Sequence, residues 1–216
     1  MNSTSIITKL MLDIPWPEVL ASAWKYGKRL FRGLSHEGMY EVLEYESTLE
    51  LLDKEGKKAH FKKRKKVRYL QDNIIAFHDY AWGDGDILKS YQCTPGKKVD
   101  QYRLGYKTYI LISLREVKSR GDVDEFNIGW DIENAFLLPD YFWDTVISHR
   151  TKWIRTSIIF PKEHHPLRVS LVETNQQRTN ILGNEHKKLL SDGRLRITWE
   201  KKKPRLYEHY LMKWDW

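Results

Sequence analysis

Cysteine is nearly absent: Cys93 is the only one in 216 residues. A lone cysteine closes no intramolecular disulfide and excludes an all-cysteine metal site, which suits a reducing, cytoplasmic setting. Long apolar runs are missing as well. No stretch reaches the length a helix needs to cross a bilayer, and the opening MNSTSIITKLMLDIPWPEV lacks the charged leader and apolar run of a secretory signal. The expectation is a soluble, unexported, cytoplasmic protein that makes no use of a membrane. Also lacking are a phosphate-cradling glycine loop and a G-x-S-x-G elbow around a nucleophile. Gly83-Asp84-Gly85-Asp86 holds two carboxylates but is too short for a calcium loop, and it reads as a glycine turn. No repeat or low-complexity linker divides the chain. Its length suits one sizeable domain with an appendage, or two small ones.

Charge is present, and it is concentrated. The formal net charge is +8, and eight basic residues stand together as Lys57, Lys58, Lys62, Lys63, Arg64, Lys65, Lys66 and Arg68. Without that group the balance is zero. One basic ribbon suggests one docking surface, whereas a uniformly basic chain would suggest nonspecific coating of nucleic acid.

The ribbon is half of a predicted β-hairpin over 40–70. Its first arm alternates, with Leu43, Tyr45, Leu49 and Leu51 on one parity and Glu44, Glu46 and Glu50 on the other. The second arm sets His60, Lys62, Arg64, Lys66 and Arg68 against Phe61, Val67 and Tyr69. Placing Asp53 opposite Lys57 leaves Lys54-Glu55-Gly56 as a three-residue loop with Gly56 left-handed. Glu50 then meets His60, Glu46 meets Arg64 and Glu44 meets Lys66. On the inner face Leu51 meets Ala59, Leu49 meets Phe61 and Leu43 meets Val67. A slip of one residue would set Leu49 and Tyr45 against lysines. Lys63 and Lys65 have inward parity, so a bulge must turn them out or they must guard a sheet margin.

Before the hairpin, Pro17–Arg32 reads as an amphipathic helix. Proline suits its first turn, the basic residues come late, and Trp16, Leu20, Trp24 and Phe31 share a stripe. After the hairpin, Ile74–Tyr80 and Ile87–Cys93 are short apolar pieces. A second hairpin is expected to pair Val117 with Val123, Leu114 with Phe126 and Ile112 with Ile128. Trp143–Phe160 is too long for one strand and should break near His149–Thr151. Strands follow around Val169, Ile197 and Met212, while Thr174–Leu190 is polar and undecided between loop and helical turn. The fold class expected is mainly β: an antiparallel β-sandwich or barrel-like domain over 35–216 with eight to ten strands, preceded by a lead-in and one amphipathic helix over 1–34. The nine tryptophans and twelve tyrosines fall at strand-like positions, as core and sheet-face residues would.

Candidate chemistry is sparse. Glu116-Val117-Lys118 ends an apolar strand and resembles the Glu-x-Lys core of metal-dependent nucleases, with Asp100 or Asp86 as a second carboxylate. That core needs flanking helices, and this sequence runs straight into another strand. His164-His165 beside Glu163 has no second cluster at ligand spacing, and His78-Asp79 lies in a strand-like segment. No cofactor, catalytic residue or small-molecule substrate is evident. Three stretches, VRYLQDNIIAFHDYAWGDGDIL, ISLREVKSRGDVDEF and RLYEHYLMKWDW, resemble a β-rich domain of uncharacterised bacterial proteins. That domain is associated with defence and signalling loci, including accessory proteins encoded beside CRISPR effectors. The resemblance spans about Tyr40 to Trp216 and carries no catalytic motif. It implies a bacterial accessory protein of antiviral defence or signalling. The sequence therefore points first to a non-catalytic protein binding a protein partner through Lys62, Arg64, Lys66, Arg68, Trp24 and Phe31. Nucleic-acid binding through 57–68 comes second, and a nuclease at Glu116 and Lys118 third.

Overall fold

The computed structural model describes residues 38–83, 86–136 and 141–216. The helix expected over Pro17–Arg32, with Trp24 and Phe31, lies outside the described residues. Met39–Trp216 forms one compact unit, mainly β, whose fourteen strands are numbered here in chain order.

The first hairpin joins β1 (Tyr40–Leu51) to β2 (Lys58–Tyr69). Glu50 faces His60, Leu49 faces Phe61, Glu46 faces Arg64 and Glu44 faces Lys66, the register that turn, apolar pairing and charge pairing jointly require. Asp53 closes the turn. Its carboxylate accepts the backbone N–H groups of Lys57 and Lys58 at 2.8 and 2.9 Å, and Gly56 sits at φ 70°. One expected pair fails: Val67 faces Val42, because Leu43 is the extra residue of a bulge. The bulge shifts the parity of β1, so Tyr40 and Val42 are buried on the same face as Leu49 and Leu51.

A seven-stranded sheet runs in the order β12 (Lys187–Leu189), β13 (Leu195–Lys202), β9 (Trp153–Phe160), β1, β2, β7 (Val123–Glu133) and β4 (Asp86–Thr94). A three-stranded sheet holds β3 (Ile74–Ala81), β6 (Lys107–Lys118) and β5 (Lys97–Leu104). The four-stranded sheet holds β11 (Arg178–Ile181), β10 (Arg168–Glu173), β14 (His209–Asp215) and β8 (Tyr141–Val146).

The sheets do not close into a barrel, and they are not all antiparallel. Tyr45–Glu50 of β1 runs parallel to Ile154–Ile159 of β9. That placement follows from β9 itself, whose Ile158, Ile159 and Phe160 are buried in succession, as suits a central strand covered on both faces. Within Trp143–Phe160 the chain breaks between Val146 and Trp153, where a break was expected.

The second expected hairpin does not form. β6 pairs with β3 and β5, whereas β7 pairs with β2 and β4. The chain passes from one sheet to the other at Ser119–Asp122. Alternation in β7 identified its buried face (Phe126, Ile128, Trp130 and Ile132), but a buried face is compatible with many neighbours.

Both smaller sheets lie on the same face of the large one, as the aromatic contacts show. At one end Phe77 of β3 stacks on Phe126 of β7 at 4.1 Å and meets Tyr40 of β1 at 5.1 Å. At the other, β8 and β14 bring Trp143 to 4.7 Å from Phe61 and Trp214 to 5.7 Å from Phe160. The opposite face of the large sheet carries the charged ribbon.

Candidate functional site: a cleft between the smaller sheets

Where the two smaller sheets fail to meet, a cleft of about 830 Å³ opens onto the inner face of the large sheet. Tyr45, Phe61, Lys63, Lys65 and Trp130 form its floor. Tyr80, Ala81 and Trp82, at the end of β3, make one wall; Trp143, Asp144 and Thr145 of β8 with Ser148 and His149 make the other.

The two floor lysines come from unbroken alternation in β2. Phe61, Lys63, Lys65, Val67 and Tyr69 all point inward and all are buried. The expectation that Lys63 and Lys65 turn outward or guard a margin is therefore corrected: they are 6% and 5% exposed. The only bulge of this hairpin is in β1, and β2 is a central strand with partners on both sides. Lys65 even stands opposite Tyr45 in the correct register, the kind of pairing expected only from a slip.

An unpaired buried ammonium costs several kcal/mol. Lys63 is paired. Its Nζ donates to Oδ1 of Asp79 at 2.5 Å, and the Tyr91 hydroxyl donates to Oδ2 at 3.0 Å. Asp79 belongs to the three-stranded sheet, Lys63 and Tyr91 to the seven-stranded one, so this group pins the two layers together. Lys65 forms no ion pair among the described residues, although the nearby Asp79 charge favours its protonated form. Its Nζ lies 5.3 Å from the Phe77 ring centre, 5.8 Å from Tyr45 and 6.0 Å from Tyr80, within range of cation–π attraction. Burial, and then the neighbouring Lys63 charge, push its pKa down to about 8.

The walls are polar in a few places. Asp144 accepts a hydrogen bond from Nδ1 of His209 at 2.9 Å, yet burial still raises its pKa. The Tyr80 and Ser148 hydroxyls meet at 2.6 Å, and Ser148 meets Nδ1 of His149 at 2.9 Å, with His149 stacked 4.3 Å from Tyr40. Burial lifts Tyr80 to about 12, so its phenol keeps its proton. At the exposed end Arg103 lines the cleft, and Lys107 lies over the rings of Trp82, Tyr80 and Tyr106 at 5.2, 5.3 and 5.5 Å.

Of the residues expected to bind a partner, Lys62, Arg64, Lys66 and Arg68 lie on the opposite face. Arg64 donates to Glu44 and Glu46, at 2.5 Å each, and to Glu125 at 2.8 Å. Those bonds hold Glu44 below its usual pKa and Arg64 above its own. Arg68 reaches Glu41 at 3.3 Å and Lys66 lies 3.9 Å from Glu44, while Lys62 is exposed.

The expected nuclease residues are not assembled into one site. Lys118 sits between Glu116 at 3.2 Å and Asp124 at 3.1 Å, and Asp100 accepts the N–H of Gln101. His164 and His165 bond the carbonyls of Lys54 and Gly193. Among the described residues no three His, Cys, Asp or Glu side chains gather as metal ligands would.

Reading the sequence found the ribbon and missed the cleft. The available signal was the inward parity of Lys63 and Lys65 beside Asp79 in an apolar strand.

No protein-family model matches the chain, and no curated protein does. Among solved structures it is similar to a proposed nutrient-binding protein of Legionella pneumophila, with a TM-score of 0.50 and 6% identity, over 82% of this chain and 68% of that one. It is also similar to a two-domain M1 zinc metallopeptidase variant bound to L-tryptophan, with a TM-score of 0.48 and 7% identity, over 81% of this chain and 43% of that one. At 6% identity the first likeness is one of fold alone.

Proposed function

We propose that the chain is a non-catalytic binding protein that takes a small, flat, largely apolar ligand in the cleft between its two smaller sheets. The observation that carries this reading is the cleft of about 830 Å³, floored and walled mainly by aromatic and apolar side chains, with a smaller set of polar and charged groups among them. Ligand sites have this size and this balance of apolar wall to polar anchor. Protein interiors are otherwise packed without large voids, because an unfilled space forfeits dispersion contacts along its whole lining.

Three tryptophans in the lining (Trp82, Trp130 and Trp143) make binding visible by fluorescence. Naphthalene carboxamide, a flat neutral probe, is expected to quench that emission and raise the melting temperature. Trp82→Ala, which removes part of one wall at a half-buried position, is expected to weaken the probe about tenfold and leave the fold intact. Flat aromatic probes that change neither fluorescence nor melting would overturn the reading.

A second reading keeps a macromolecular partner on the outer ribbon, as in an accessory protein of a bacterial defence or signalling system. The exposed Lys62 beside Lys66 favours it, since Arg64 and Arg68 are already engaged by carboxylates of the same face. An acidic protein surface fits those two lysines better than the closely spaced phosphates of a duplex.

A further inference from the structure

The charges around the cleft do not balance, and the imbalance has one sign. Of its two floor lysines, Lys63 is bonded to Asp79, while Lys65 has no bonded carboxylate and is met by ring faces, with the Asp79 charge acting on it only from beyond ion-pair distance. Ring faces attract an ammonium more weakly than a carboxylate does in the same dry setting. Arg103 and Lys107, at the exposed end, form no ion pair among the described residues, although the Lys107 charge is felt by Asp144. The carboxylate that lines the cleft, Asp144, meets His209 through Oδ2, while its buried Oδ1 has no hydrogen-bond partner. Among the described residues the cleft thus offers cations at its entrance and on its floor, against one lining carboxylate that is bonded through a single oxygen. Such a field draws anions inward.

We propose that the ligand is a small planar carboxylic acid whose carboxylate pairs with the Lys65 ammonium while its ring lies among Tyr45, Phe61, Tyr80 and Trp130. This rests on the cleft being a ligand site, and it names the class of ligand. One ammonium matches one carboxylate. A phosphate carries more charge and more oxygens, and it is ordinarily met by an arginine fork or a cradle of backbone N–H groups. Neither is present at Lys65. The pairing also supplies what the fold leaves out, a counter-charge for a cation already held away from water.

The test compares naphthalene carboxylate with its carboxamide on the full chain, by isothermal titration and tryptophan quenching. The two probes share shape and ring and differ in charge. The acid is expected to bind at least tenfold tighter. Lys65→Met and Lys65→Gln are expected to bring the two to similar affinity by weakening the acid alone. Melting curves check that each variant is folded, and the acid-to-amide ratio in the unaltered chain needs no variant. Equal affinity of acid and amide overturns the carboxylate assignment and leaves the cleft reading standing. A preference for the acid that survives both substitutions overturns the role of Lys65. Naphthyl phosphate binding tighter than the carboxylate overturns the choice of anion. Failure of every probe overturns the cleft reading and this proposal together.

Discussion

Lys65 is a cation kept where cations are costly, and the cost has a pH signature. In the unfolded chain it holds its proton until about pH 10.5; in the folded chain it releases it near 8. Between those values the unfolded state binds more protons, so this residue makes stability rise with pH. Below about pH 8 the whole penalty is present, and it is relieved as pH rises toward 10.5. The difference corresponds to roughly 3 kcal/mol, at 1.36 kcal/mol for each pH unit between the two pKa values. Lys65→Met should therefore stabilise the protein at pH 7, and its advantage over the unaltered chain should shrink between pH 8 and 10. Urea unfolding of both proteins at pH 7, 8.5 and 10 checks this. A constant difference across that range would show that Lys65 keeps its ordinary pKa. Lys63 and Lys65 had inward parity in the sequence from the start. What hid their role was the premise that a buried face rejects lysine, which holds only where neither a carboxylate nor a ring cage is at hand.

At the scale of elements, two glycines with positive φ divide backbone strain from crowding. Gly96 joins β4 to β5 at φ 92°, and a Cβ there would lie 2.7 Å from both Cγ2 of Ile112 and the Ser113 carbonyl on β6. Gly105 joins β5 to β6 at φ 61°, and a Cβ there would meet nothing within 4 Å. Gly105→Ala is expected to cost about 1 kcal/mol, the penalty of a left-handed alanine. Gly96→Ala adds a clash with packed backbone and should exceed about 2 kcal/mol by denaturant midpoint. Similar losses at the two sites would mean that β6 yields. The legibility of the elements follows the same division between local and distant causes. The β1–β2 register was readable because Asp53, Gly56, Leu49–Phe61 and Glu46–Arg64 are near in sequence and agree. The partner of β7 was not, since alternation marks a face and leaves the neighbour open. β5 was missed because its polar residues are exposed on both sides and leave no periodic trace. No sequence window contains the cleft: Lys65, Trp82 and Asp144 meet only after three sheets have assembled.

Over the whole molecule, the excess positive charge is split between two faces, and that limits what the ribbon can hold. With Arg64 and Arg68 bonded to glutamates, Lys57, Lys58, Lys62 and Lys66 remain as its least engaged cations. Each phosphate neutralised on duplex DNA steepens the slope of log affinity against log salt by about 0.9, so four weakly engaged lysines allow a slope no steeper than about −4. Fluorescence anisotropy of a labelled duplex across salt concentrations measures it. A much steeper slope, abolished by Lys62→Glu with Lys66→Glu, would make nucleic acid the leading partner of that face. The position of β1 has a different consequence, in time. Its antiparallel neighbour β2 follows after a short turn, but its parallel neighbour β9 arrives far later: Ser47 and Thr156, hydrogen-bonded across that pair, are 109 residues apart. During synthesis the first hairpin can zip as soon as it emerges, and then it waits, one long edge open, while the chain from Tyr69 to Phe160 is added. Loop closure over such a distance slows folding, and an open strand edge invites pairing with other chains meanwhile. The glutamates and lysines along that hairpin thus have work to do before any ligand or partner is met, keeping a newborn edge soluble until its last neighbour appears.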